Sequence, residues 1–230
     1  GLDCQPHAIV GTVPVQHSYG FESTFLLALH GGCAFWAGKP FYPQDIGGAL
    51  AAVPQPRLLV TTPFHLSALL SAEIELPPVD MLLSATAPLS TTLAAEAEAR
   101  TGAPMLEIYG STESGQLASR RTTDGAAWTL LPGVKLEQTD DQTTIACDGH
   151  VEGRVALSDL IELLPDQRFL LHGRHADLIN IAGKRTSVAY LNHQLCAVPG
   201  VVDGAFFLPD EEGPDGITRL TAFVVAPGLS

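Results

Sequence analysis

The chain has 230 residues, 46% of them hydrophobic and 16% charged, which is an ordinary globular composition and not a disordered or fibrous one. A net charge of −13, with only twelve basic residues, weighs against a nucleic-acid partner or an anionic-membrane surface and makes any basic cluster informative. No apolar run reaches the roughly 18 residues a membrane span needs, since residues 25–36 are broken by His30, Gly31 and Gly32.

The first eleven residues have neither the basic start nor the apolar run of a signal peptide. Cys4, Cys33, Cys147 and Cys196 are far apart without a C-x-x-C pair. Reduced, mostly buried thiols in a cytoplasmic protein fit this spacing better than a zinc site or a disulfide framework. The sequence begins without Met and in mid-pattern, as a piece of a longer protein would.

Residues 9–15 read as a strand that ends in a polar turn at 16–20. Residues 21–30 have apolar positions at helical spacing and stop at Gly31-Gly32. A short buried strand at 33–36, a helix at 43–53, a strand at 57–61 and a helix at 63–72 follow. Residues 80–85 form a strand that leads into the small-residue turn Ser84-Ala85-Thr86-Ala87-Pro88. Ser90 can cap a helix through Arg100, with Gly102 placed to stop it. The strand at 105–108 then opens into Tyr109-Gly110-Ser111-Thr112-Glu113-Ser114-Gly115. The alternation predicts an α/β fold, a parallel sheet with flanking helices, over residues 1–121.

Beyond Arg121 the texture changes. Residues 122–174 carry short β-like runs with turns between them, a small antiparallel barrel or sheet. Residues 175–230 predict a partial α+β region: a hairpin around Ala182-Gly183-Lys184, a helix from Ser187 through Val198, and strands at 201–208 and 217–225.

Chemistry concentrates at a few places. In the stretch 109–115, Tyr109 offers a ring face, Thr112 a hydrogen bond to a phosphate-like oxygen, and Glu113 an oxygen ligand for a hard cation. The alternative is a polar loop that merely turns the chain. The turn at 84–88 and Tyr109 sit at adjacent strand ends and can sandwich a planar base, or the turn simply joins strand to helix. Asp159, within Leu157-Ser158-Asp159-Leu160, is an acid inside an apolar run. It marks either a bulge or edge, or a group that receives ligand hydroxyls. Arg174, Lys184 and Arg185 gather three of the twelve basic residues, either a solvated junction patch or forks for ribose, phosphate or carboxylate. His17 stands in a polar turn beside Tyr19 and Phe21, where a lone histidine is more often structural than catalytic. His172 and His175 have no acid evidently placed to complete a metal site. Ser111 and Ser114 make no hydrolase elbow, because G-x-S-x-G is absent.

In this order, the pieces resemble the adenylate-forming superfamily of acyl- and aryl-CoA synthetases, peptide-synthetase adenylation domains and luciferases. Tyr109-Gly110-Ser111-Thr112-Glu113 matches its Y-G-x-T-E motif, and Ser84 to Leu89 resembles its G-G-A-P-L turn. Leu157 to Leu160 stands where T-G-D-L is usual. Gly173-Arg174 with the segment 179–185 resembles G-R-x-D-D-x-I-K-x-x-G-x-R, and His17-Ser18-Tyr19-Gly20 resembles the aromatic acyl-pocket motif.

The resemblance implies ATP and AMP as nucleotides, enclosed at adenine by Tyr109 and the turn Ser84, Ala85 and Thr86, with Gly110 and Ser111 alongside. Thr112 would hold the α-phosphate and Glu113 a Mg2+ ion. Asp159 would accept ribose hydroxyls, reinforced by Arg174, with Arg185 in the same binding set. His17, Tyr19 and Phe21 would line or gate the acyl pocket, and Gly183 would border the pantetheine channel. The implied reaction is carboxylate attack on ATP to give acyl-AMP and pyrophosphate, then transfer of the acyl group, with release of AMP, to coenzyme A or to the phosphopantetheine of an acyl carrier protein.

The sequence also departs from this pattern. The family's Ser/Thr/Gly-rich phosphate loop with its lysine is absent, Lys39 being in the wrong context, and so is its late catalytic lysine. Ala176, Ser158 and Asn192 occupy positions where other residues are usual. An incomplete chain, inactive by itself, accounts for the first two gaps. The alternative is a non-catalytic nucleotide-binding or interaction module.

Overall fold

The computed structural model describes residues 7–140, 143–174, 178–181, 184–196, 198–209 and 219–228. In chain order these form β1 (Ala8–Gly11), a helical run made of α1 (Ser18–Gly20), a π-helical segment (Phe21–Leu26) and α2 (Leu27–Gly31), then β2 (Ala34–Phe35), α3 (Pro43–Ala52), β3 (Arg57–Thr61), α4 (Pro63–Ser71), β4 (Met81–Ser84), α5 (Thr91–Thr101) and β5 (Met105–Ser111). There follow β6 (Gly115–Arg121), β7 (Trp128–Leu130), β8 (Lys135–Gln138), β9 (Thr144–Cys147), β10 (Arg154–Leu157), β11 (Asp159–Leu164) and β12 (Arg168–Arg174). The last elements are β13 (Leu178–Ile181), β14 (Lys184–Ser187), α6 (Val188–Cys196), β15 (Asp203–Phe207) and β16 (Thr221–Val225).

Local chemistry explains several boundaries. Thr62 and Ser90 accept the backbone N–H of His65 and Leu93 and so cap α4 and α5. Gly32 and Gly102 adopt left-handed conformations that end α2 and α5. Between the helices, β3 and β4 are short apolar strands buried on both sides. Leu59, Leu66, Leu69, Leu82, Ala94 and Met105 pack into one core cluster, and Ile9, Leu58 and Val60 lie in another.

One nine-stranded sheet organises the chain, in the order β11-β12-β7-β6-β5-β4-β3-β1-β2. Neighbours from β2 to β5 are parallel, as the βα alternation predicts, and from β5 to β11 they are antiparallel. Residues 122–174 are antiparallel throughout, but they lie in two sheets. β7, β12 and β11 extend the large sheet, while β8, β9 and β10 form a second one. A shared core fills the space between them, including Trp128, Val134, Ala146, Leu157 and Phe169, and it reaches back before Arg121 to Leu117 and Ala118.

Three local expectations change. The strand expected at 33–36 is two residues long and sits at the open end of the sheet order, with Phe35 and Trp36 each 38% exposed. Its apolar run reads as core in sequence but has a neighbour on one side only. The helix expected from residue 21 begins at Ser18 and carries a π-helical insert. Of the three described cysteines, only Cys147 is buried, and all three are free. Cys4, Ala176, Ala182 and Gly183 lie outside the described residues, as do the side chains of Lys184 and Arg185. In the last region, the Ser187 hydroxyl accepts from Tyr190 N–H to cap α6 and donates to the His172 carbonyl at 2.9 Å, tying the cap to β12. The Asn192 side-chain oxygen accepts from Phe206 N–H and joins α6 to β15.

Two carboxylates brace the parallel and antiparallel halves. Glu107 on β5, 3% exposed, accepts from Leu89 N–H at 3.1 Å, Arg120 Nε at 2.8 Å and the Thr122 hydroxyl at 2.9 Å. The Arg120 guanidinium also lies 4.4 Å above the Trp128 ring. Glu98 at the end of α5 accepts two parallel bonds from Arg121, both 2.8 Å, and one from Met105 N–H.

Arg120→Met keeps the aliphatic packing but strands a carboxylate in the core, so urea unfolding should show a loss of about 3 kcal/mol, with much of it restored by adding Glu107→Gln. The Arg121 hydrogen bonds hold the Glu98 carboxyl below the ordinary carboxylate range, against the opposing effect of burial. A folded-state value below the unfolded one contributes stability above about pH 4.3 that fades as pH falls through the folded value. Glu98→Gln should therefore lower the melting temperature at pH 7, and its deficit against the wild type should narrow as the pH drops below about 4.

Candidate functional site

The stretch at 109–115 turns back on itself. Tyr109, Gly110 and Ser111 belong to β5, and Gly115 opens the antiparallel β6, with a register shift between Tyr109 and Gly110. A Cβ at Gly110 would lie 2.1 Å from the Gly115 carbonyl oxygen, so the tight return admits only glycine there. Ser111 and Ser114 hold the turn: their hydroxyls are 3.0 Å apart, and each accepts the other's backbone N–H at 3.2 Å. Thr112 and Glu113 are left exposed at the tip. The Glu113 backbone N–H, followed by the Ser111 hydroxyl, holds the Glu113 carboxyl below its ordinary range, which keeps it charged.

Tyr109 is half-buried, its ring packed edge-on against Phe169 at 5.5 Å and tilted against Trp128 at 5.7 Å. Its hydroxyl donates to Asp159 Oδ2 at 2.7 Å. Burial, and then the Asp159 charge and hydrogen bond, push that hydroxyl far above its ordinary value, with Arg174 opposing. It is therefore a fixed donor. Asp159 lies opposite Arg174 across the β11–β12 pair, at a register irregularity. The bulge expected there as one alternative is present, and the acid also has a polar partner in Tyr109.

The turn at 84–88 lies one strand away, with Ser84 opposite Glu107. The Ser84 hydroxyl is fully buried and has no hydrogen-bond partner among the described residues. Ala85 is also buried, and Thr86 has φ of +78°, a left-handed conformation that is unfavourable for a β-branched residue. Leu89 N–H closes the turn onto Glu107, two residues before Tyr109. The Ser84 turn and Tyr109 thus stand on adjacent strands and share an anchor.

His17, Tyr19 and Phe21 are placed differently from one another. His17 is exposed and its Nδ1 accepts from Tyr19 N–H at 3.2 Å, which leaves the ring hydrogen on Nε2. Tyr19 is buried, 6% exposed, and donates to the Leu83 carbonyl at 3.0 Å, with its own hydroxyl value pushed up by burial. Phe21 is 43% exposed and stacks on Phe25. A Cβ at Gly20 would lie 2.3 Å from the Pro14 carbonyl oxygen, which explains the glycine after Tyr19. The run meets the hairpin where the Ser18 and Thr112 hydroxyls approach to 3.5 Å.

Some residues around the site carry little sequence signal. Glu107 is an acid inside an apolar strand, the same signal that Asp159 gives, yet its partner Arg120 is identified only by strand pairing. His172, without an evident acid in sequence, has its Nε2 2.9 Å from Glu162 Oε2 across the β11–β12 pair, in an exposed hydrogen bond.

The chain resembles known proteins over most of its length. A family model described as AMP-binding enzyme matches residues 3–158. A 4-coumarate–CoA ligase of Rhodobacter capsulatus is 31% identical over 218 residues, covering 95% of this chain and 52% of that protein. Among solved structures, ATP-bound MatB from Rhodopseudomonas palustris superposes with a TM-score of 0.80 at 20% identity, over 98% of this chain and 51% of that one. The amide bond synthetase McbA from Marinactinospora thermotolerans superposes with a TM-score of 0.81 at 19% identity, over 99% and 54%. The chain spans about half the length of the curated relatives it matches, and the structural likenesses are likenesses of fold.

The strained Thr86 gives a direct test of the turn. Thr86→Gly should raise the urea midpoint by the equivalent of about 0.5–1 kcal/mol, because it removes a left-handed β-branched residue. By contrast, Gly110→Ala should destabilise the chain by more than Thr86→Gly stabilises it.

Proposed function

The chain belongs to the AMP-binding enzyme family, and from that premise we propose that it forms one wall of the nucleotide site of an ATP-dependent ligase. The ligase would convert a carboxylic acid, acyl or aryl, to its adenylate and pass the acyl group to a thiol. The observation that carries this reading is the meeting of Tyr109 on β5 with Asp159 and Arg174 on the paired strands β11 and β12, beside the Ser84 turn. The name of the R. capsulatus relative favours an aromatic acid and coenzyme A over the phosphopantetheine of an acyl carrier protein.

Each residue has a role suited to its surroundings. The face of Tyr109 and the backbone of Ala85 and Thr86 would hold adenine, with the buried Ser84 hydroxyl, which has no partner among the described residues, beneath. Asp159 uses one carboxylate oxygen for Tyr109 and keeps acceptor capacity for ribose hydroxyls, with Arg174 alongside. The exposed Thr112 hydroxyl would donate to the α-phosphate. His17, with its hydrogen on the exposed Nε2, would face the carboxylate substrate next to Phe21, while Tyr19 would support that pocket from inside the core. Gly183 and Arg185 would serve the thiol channel and the nucleotide. Residues 1–121, 122–174 and 175–230 would act as α/β subdomain, β-subdomain and lid.

Glu113 would hold Mg2+. Among the described residues no three His, Cys, Asp or Glu side chains cluster as a metal site. A single charged carboxylate suits a magnesium ion bound mainly through nucleotide oxygens, and such an ion would offset the repulsion between phosphate and carboxylate. Fixed donors and oriented reactants would supply the rest of the rate. ATP and coenzyme A as reactants suit a cytoplasmic setting, and no helix among the described residues is long and apolar enough to cross a membrane.

Calorimetric titration of residues 1–230 with AMP should show binding, and Asp159→Ala should weaken it by about tenfold, the loss of a charged hydrogen-bond acceptor. Unchanged affinity in that variant would refute the ribose assignment. The same chain should give almost no ATP–pyrophosphate exchange, and turnover typical of a complete ligase would overturn the view that it is one wall of the site.

A further inference from the structure

The π-helical segment Phe21–Leu26 grips the hairpin at two successive residues. Glu22 Oε2 accepts from Gln116 N–H at 3.1 Å, and the Ser23 hydroxyl accepts from Gln116 Nε2 at 2.7 Å. One residue of β6 is thus held through both backbone and side chain. The wider π turn, a feature that recurs at functional sites, lets neighbouring residues reach the same target. Ser23 is buried, 3% exposed, so its end of the grip is fixed in the core.

Gln116 is well placed to transmit this grip. It follows Gly115, whose φ is +68°, and it pairs with Gly110 beyond the register shift. The Glu22 carboxylate and the His150 ring flank Gly115: a Cβ there would lie 3.7 Å from Glu22 Oε2 and 3.5 Å from His150 Nε2. Three residues earlier, the Ser18 and Thr112 hydroxyls meet at 3.5 Å. The helical run from Ser18 therefore touches the exposed turn at both shoulders.

We propose that Glu22 is a positioning residue: through Gln116 it sets the orientation of the Thr112–Glu113 turn and couples the helix carrying Tyr19 and Phe21 to recognition of the nucleotide phosphate. The inference rests on the nucleotide reading above. In this arrangement Glu22 would act through Gln116 and would touch neither nucleotide nor substrate itself. Losing its bond to Gln116 should loosen the turn while leaving the adenine and ribose contacts on β4, β5 and β11 intact.

The test compares AMP with adenosine, which lacks the phosphate, by calorimetry on residues 1–230. Glu22→Ala should weaken AMP by about five- to tenfold, in the range of one ordinary protein hydrogen bond, and leave adenosine nearly unchanged. Glu22→Gln, whose amide oxygen can still accept from Gln116 N–H, should recover most of the affinity. Amide hydrogen exchange at residues 112–116 should quicken in Glu22→Ala and not in Glu22→Gln. AMP affinity equal to wild type in Glu22→Ala, or equal weakening of AMP and adenosine, overturns the positioning role even though the wild type binds both. A folded wild-type chain that binds neither ligand overturns the nucleotide reading, and this inference with it.

Discussion

The buried Glu107 carboxylate is the constraint on which the rest of the structure depends. A carboxylate at that depth is tolerated only when its acceptor sites are filled, and the donors that fill them come from both sides of β5. Leu89 N–H brings in the turn after β4, Arg120 brings in β6, and Thr122 brings in the exit from β6. Because Arg120 also lies over Trp128, which stacks with Phe169 at 6.3 Å, the same carboxylate orients the aromatic group that Tyr109 leans against.

That arrangement places the site at the change from parallel to antiparallel pairing. β5 is parallel to β4 on one side and antiparallel to β6 on the other. It therefore ends beside the Ser84 turn, as a strand of an open α/β sheet does, and also returns through a tight hairpin that thrusts Thr112 and Glu113 outward. Gly110 permits the return, and the Ser111–Ser114 pair stabilises the turn by hydrogen bonds that leave Thr112 and Glu113 exposed. Asp159 and Arg174 reach Tyr109 only because β7, β12 and β11 carry the sheet onward from β6.

Much of this was legible in sequence. The βα alternation, the caps at Ser90 and Ser187 and the glycine stop at Gly102 follow from local propensity, which needs no distant partner. Dense polar stretches at strand ends marked the site, and Asp159 was visible as an acid in an apolar run. Glu107 had the same signature, but its meaning depended on Arg120 and Thr122, which only the β5–β6 register brings within reach. Glu22 gave no signal at all, because an acid on a helix reads as an exposed face. Tyr19, in a motif read as a pocket, has its hydroxyl turned into the core toward Leu83, and only packing could decide that direction.

By itself, the sequence determined which residues bear chemistry and which elements carry them, since hydrophobic period, capping and turn chemistry act over a few residues. Tertiary structure alone decided which polar groups share one space. That choice depends on strand order and register, and these are set by burying apolar faces contributed by residues far apart in the chain. The pairing of Tyr109 with Asp159, the bracing of Glu107 and the grip of Glu22 on Gln116 all belong to this second kind. Each joins polar groups that are wholly or partly buried and whose partners arrive from another part of the fold.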